Sequence, residues 1–178
     1  MEIKKDDHLQ GAQRAPIVLV EYGDYQCGYC GAAYSVVKKL QEHYGDKMLF
    51  VFRNFPLVSS HAHALDAALV AEAAAQQNQF WKMHDLLYEH QDKLDSNHLY
   101  SYAKSLNLDM KKLEKDMKKT ETIERIREDM EAGEENGVDG TPSFYINGRK
   151  YHGANDYDEL KEYIDGLMRN LGTSPSLS

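Results

Sequence analysis

An α/β fold, one sheet with a helical segment inserted into it, is what this sequence predicts, and three observations carry the prediction. Apolar runs of strand length stand at residues 17–22 and 48–52, with a helical pattern between them. From about His61 to Asn136 there is almost no strand signal and several helical periods follow one another. Strand pattern then returns, with Asn147-Gly148 between two β-prone runs, before a last helix. The order is β-α-β, then helices, then β-β-α.

Each element has its own justification. Ile17 to Tyr22 is a branched apolar run bounded by Pro16 and Gly23-Asp24, the pattern of a buried strand. From Gly28 to Tyr44 the residues Ala33, Val36, Val37 and Leu40 recur at helical spacing, and Gly45 ends the period. Met48 to Phe52 is a second strand, stopped by Pro56; with the helix it makes a β-α-β unit, for which a right-handed parallel connection is expected. The alanine-rich stretch 64–77 and the run Phe80, Trp81, Met83, Leu86 and Leu87 open a block of four or five helices, with breaks expected at residues 95–97, 107–109 and 119–120. Phe80, Trp81 and Met83 read as core, and the charged runs 111–119 and 121–135 as solvated helix surface. Asn147-Gly148 predicts a tight turn between strands 143–146 and 149–152. In the final helix, from Asp156 to about Asn170, Leu160, Ile164 and Leu167 share a face, and Asp156 with Glu159 has capping-box spacing. Residues 1–15 read as a lead-in, 16–170 as one domain whose helical insert is 59–136, and 171–178 as a loose tail.

Composition narrows the functions. The 178 residues are 42% hydrophobic and 28% charged, with 12 Gly and 4 Pro, a globular balance. A formal net charge of −8 and no basic stripe argue against nucleic acid. The first apolar run is far too short for a signal-peptide core or a membrane span, so no membrane insertion is expected; the expected compartment is the cytoplasm, or an exported one if a leader has been removed.

The only two cysteines, Cys27 and Cys30, sit where the first strand gives way to the first helix. Free backbone N–H groups and the helix dipole there favour an anion on the first sulfur, so Cys27 is the expected nucleophile. Cys30, one turn inward, would resolve the mixed disulfide that Cys27 forms with a partner. The competing reading is a module that uses the same two thiols as metal ligands or structural groups. Zinc would need two further ligands, and His61 with His63 is the nearest pair, but no finger-like spacing exists; no metal is expected and neither histidine is assigned a role. Position favours redox chemistry, because the pair opens a helix after a strand and Gly140-Thr141-Pro142 stands directly before the hairpin.

The residues 20–30, the helical insert and the stretch from Gly140 to Gly148 together resemble the DsbA-like branch of the thioredoxin superfamily, over about residues 16–168. The resemblance implies a thioredoxin-like fold and a thiol–disulfide oxidoreductase with no cofactor beyond the Cys27–Cys30 disulfide. It implies a cis-proline loop at Thr141-Pro142 offering its backbone to an extended substrate, whereas the residues alone would read Pro142 as a trans residue starting an edge strand. Gly28 and Tyr29 would tune the thiolate and face the substrate. Glu21 would be a buried proton acceptor for Cys30; a solvated strand-end glutamate is the other reading. Implied partners are protein thiols or disulfides and a redox partner, with the chain acting as a monomer. Gln26 stands where thioredoxin carries tryptophan, and Gly28-Tyr29 differs from the typical DsbA dipeptide, so the direction of electron flow stays open.

Overall fold

The computed structural model describes residues 1–172. Its elements run β1 (His8–Gly11), β2 (Ile17–Gly23), α1 (Gly28–Tyr44), β3 (Met48–Asn54), α2 (Ala64–Ala75), α3 (Phe80–Glu89), α4 (Ser96–Ser105), α5 (Met110–Met117), α6 (Thr120–Glu135), β4 (Ser143–Ile146), β5 (Arg149–Lys150) and α7 (Tyr157–Gly172). The chain forms two compact units, one of residues 1–21, 32–52 and 143 onward, the other of residues 22–31 and 53–142.

The first unit holds the sheet, in the order β1-β3-β2-β4-β5. Every residue of β3 is buried, as its unbroken apolar run demands, and in β2 only Val18 is partly exposed. β1 lies where a lead-in was expected. It pairs antiparallel with β3, His8 opposite Phe52 and Gly11 opposite Leu49. Gly11 has φ +112°, and a Cβ there would sit 2.5 Å from the Met48 carbonyl oxygen, so only glycine fits the end of this edge. The hairpin turn takes positive φ at both Asn147 (48°) and Gly148 (82°), the requirement of a type I′ turn. The Asn147 side chain also accepts the Val18 amide at 2.7 Å and donates to the Pro16 carbonyl at 3.1 Å, pinning the turn to the start of β2. β5 is two residues long rather than four, although the Tyr151 amide still reaches the Phe144 carbonyl at 2.8 Å. α7 buries Leu160 and Ile164. Asp156 accepts the Glu159 amide at 3.0 Å, while the Glu159 carboxylate reaches the Ala154 amide rather than closing the box on Asp156. The helix continues through Gly172, so residues 171 and 172 are not tail; the rest of the expected tail lies outside the described residues.

The second unit is organised around α2, which packs against α3, α4, α5 and α6. Its alanines explain this: Ala64, Ala67, Ala71, Ala73 and Ala74 are all fully buried, and such small side chains let neighbouring helices approach on several sides. Two of the three predicted breaks carry side-chain caps, while Lys119 before α6 makes none. Asp95 accepts the amides of Asn97 and His98, and Asp109 accepts that of Lys112. Phe80 and Met83 are core, as expected, and Trp81 is half-buried. The charged helices depart from expectation at two positions, because Asp116 in α5 and Asp129 in α6 are completely buried. Asp116 is flanked by Lys112 and Lys119. Asp129 faces Arg125 and accepts the backbone amide of Asn54 at 2.9 Å, while the Asn54 side chain donates to Glu72 of α2 at 2.7 Å. Desolvation pays for itself only because these polar groups meet one another.

Candidate active site

The site is built by the turn between β2 and α1. Asp24 folds its carboxylate back so that Oδ1 accepts the Gln26 amide at 2.8 Å, and its carbonyl accepts the Cys27 amide at 3.1 Å. Cys27 thus stands at the N-terminal cap of α1, its own carbonyl accepting the Gly31 amide at 3.0 Å. Gln91, just beyond α3, braces the turn: its Nε2 donates to the Tyr25 and Cys27 carbonyls at 2.8 and 2.9 Å. Gly31 makes room for it, since a Cβ there would fall 1.9 Å from Gln91 Oε1.

Both cysteines are free thiols. Cys27 is 5% exposed and Cys30 not at all, so a partner can reach only the first. Cys30 Sγ lies 3.5 Å from the Asp24 amide, and Cys27 Sγ 3.5 Å from the Thr141 carbonyl oxygen. The Thr141–Pro142 peptide bond is cis. The hydroxyl of Thr141 is buried and, among the described residues, has no hydrogen-bond partner, which leaves it available to a thiolate.

These surroundings pull the Cys27 thiol from 9.0 down to about 5. The hydrogen bond from the Cys30 thiol is the largest cause; burial opposes it, and the Thr141 side chain and the Cys30 and Tyr29 amides add to the lowering. The thiolate ultraviolet absorbance of the reduced protein is therefore expected to disappear on acidification with a midpoint near pH 5, and to be absent from Cys27→Ser. Because the folded value is depressed, this group's support for the reduced native state is complete above pH 9 and is lost as pH falls through about 5.

Beside Cys27 opens a cleft of about 590 Å³, lined by Gly28 and Tyr29, by Leu57, Ser60 and His61, and by Gly140 and Thr141. Tyr29 is 80% exposed. The predicted residues Cys27, Gly28, Tyr29, Cys30, Thr141 and Pro142 are thus gathered in one unit, while Glu21, buried in β2, belongs to the other. From sequence alone, Asp24 and Gln91 are passed over as site residues, and His61 is named without being given a role. Asp24 and Gln91 fix the cysteine turn, and His61 lines the cleft with Nδ1 2.7 Å from Asp24 Oδ2. Of Asp24 and Gln91, only Asp24 leaves a trace, an aspartate four residues before the start of a helix. No group of three or more His, Cys, Asp or Glu able to hold a metal ion occurs among the described residues.

A family model described as Thioredoxin matches residues 4–166. The chain belongs to the thioredoxin family. The solved structures similar to this family member include a thioredoxin-like oxidoreductase from Silicibacter pomeroyi (25% identity, TM-score 0.84, 93% of this chain and 94% of that one). BdbD from Bacillus subtilis follows at 27% identity and TM-score 0.79, covering 92% and 93%. Wolbachia pipientis alpha-DsbA1, at 24% identity, shares the fold with a TM-score of 0.83 over 94% of both chains. The thioredoxin fold with its five helices between β3 and β4 is DsbA-like, as the sequence resemblance implies. Among curated relatives, the Na(+)/H(+) antiporter NhaA 3 of Salinispora tropica is 41% identical over 169 residues, 95% of this chain but 26% of that protein. The chain thus spans about a quarter of the length of the curated relatives it matches. No helix among the described residues is long and apolar enough to cross a membrane.

Proposed function

We propose that this thioredoxin-family chain is a thiol–disulfide oxidoreductase that exchanges disulfides with protein thiols through Cys27 and Cys30. The observation that carries the reading is a cap-position thiol lowered to about 5, open to a cleft and backed by a fully buried second thiol. A partner sulfur bonds to Cys27, and Cys30 closes or opens the internal disulfide as the mixed disulfide resolves or forms. Thr141 and Pro142 offer backbone to an extended substrate segment across from Cys27, and Gly28 and Tyr29 meet it from the helix side.

The favoured direction is oxidation of the partner. The Cys27 value lies below neutral pH, so the thiolate stabilises the reduced form. Stabilising the reduced form raises the potential of the couple. Titrating the Cys27–Cys30 couple in graded glutathione buffers after chelation, with thiol trapping and mass measurement, is expected to give a midpoint between about −210 and −120 mV. A midpoint near about −270 mV reverses the direction. The absence of any reversible transition overturns the reading.

A further inference from the structure

The cleft beside Cys27 is lined by one imidazole, that of His61, to which the exchange reaction as described gives no task. Its anchoring is specific. Nδ1 meets Asp24 Oδ2 at 2.7 Å, and that oxygen also accepts the Leu57 amide at 2.8 Å. The Asp24 side chain is fully buried, whereas that of His61 is 25% exposed. A carboxylate bound by amides on both oxygens is an acceptor, so Nδ1 carries the ring hydrogen in this pair and Nε2 is the nitrogen left to bind or release a proton. Among the described residues the imidazole makes no other hydrogen bond. Asp24 is also the residue whose backbone sets the cysteine turn, with its carbonyl on the Cys27 amide and its amide on Cys30 Sγ. One residue therefore fixes both the sulfur nucleophile and an oriented imidazole on the wall of the same cleft.

We propose that His61 is a catalytic residue, carrying on Nε2 the proton of the substrate sulfur that does not bond to Cys27. The inference rests on the exchange reaction proposed above. When the reduced protein attacks a substrate disulfide, the Cys27 thiolate forms a bond to one substrate sulfur and the substrate S–S bond breaks. The departing sulfur takes the electron pair of that bond and the Nε2 proton, leaving the ring neutral with its Nδ1–H on Asp24. In the oxidising direction the same step runs backwards. Nε2 takes the proton of the substrate's second thiol as its sulfur attacks the mixed disulfide, and Cys27 leaves as the thiolate.

A leaving sulfur that is stable as an anion has no need of this proton, and that difference separates catalysis from simple bracing of the loop. Reduced protein is reacted with an alkyl peptide disulfide and with an activated aromatic disulfide, and the ratio of the two second-order rate constants is taken. His61→Ala is expected to lower the alkyl-to-aromatic ratio by about 100-fold, the scale of general acid–base catalysis. His61→Gln, which keeps polar atoms near Asp24 but cannot shuttle a proton, is expected to lose the ratio equally. An unchanged ratio in His61→Ala, whether both rates fall together or neither does, overturns the proposal, as does a ratio restored by glutamine. If wild-type protein reduces neither disulfide, the exchange reaction itself fails and this inference with it.

Discussion

Cys30→Ser is expected to accumulate a covalent adduct with protein disulfides through Cys27, whereas Cys27→Ser is expected to exchange at least about 1,000-fold more slowly than wild type. The asymmetry follows from burial and from the thiolate. Cys27 is 5% exposed while Cys30 is fully buried, and the Cys27 thiol is lowered to about 5. Without Cys30 the first step still occurs, but the sulfur that would release the partner is missing, so the intermediate persists. Serine at position 27 offers a hydroxyl that stays protonated at neutral pH and is a poor nucleophile toward sulfur. Non-reducing electrophoresis with intact mass of the adduct checks both arms. An adduct through position 30 in Cys27→Ser would reverse the assigned roles.

Asp129→Ala is expected to cost about 3–5 kcal/mol of stability, read as a fall in the urea midpoint at unchanged slope. The carboxylate is completely buried, faces Arg125 and takes the Asn54 backbone amide at the very end of β3. Burial holds its acid dissociation above the usual range despite the neighbouring guanidinium, a sign of how much solvation was given up to place it there. Removing it strands two groups that have already lost water, and alanine leaves a void in addition. Asp129→Asn keeps an acceptor for the Asn54 amide and is expected to lose less.

Where residues advertise a period, the fold was readable in advance. The long helices, the breaks at Asp95, Asp109 and Lys119, and the Asn147-Gly148 turn all follow from local preferences that tertiary packing reinforces. β1 escaped because an edge strand such as His-Leu-Gln-Gly needs no apolar face; its backbone bonds to β3 define it. Asp116 and Asp129 looked like surface charges because burial of an ion pair depends on partners that a linear pattern does not order. The site divided along the same line. Cys27, Cys30 and Thr141-Pro142 are visible as motifs, but Gln91 lies 64 residues from the carbonyl it bonds and His61 is 37 residues from Asp24. Such links are made by the fold, and no spacing within either segment encodes them.

The bond from Gln91 has a consequence for how this motif can be varied. Gly28 has no neighbouring atom within 4 Å of where a side chain would begin, and Tyr29 lies open to solvent, so both positions between the cysteines can accept new side chains without steric penalty. The next residue is different in kind: position 31 is closed by an amide reaching across it to hold the turn. The unit of variation is therefore five residues long, with a freely exchangeable middle and a sealed last place. A library that retunes the couple should randomise positions 28 and 29 and leave Gly31 and Gln91 as a fixed pair.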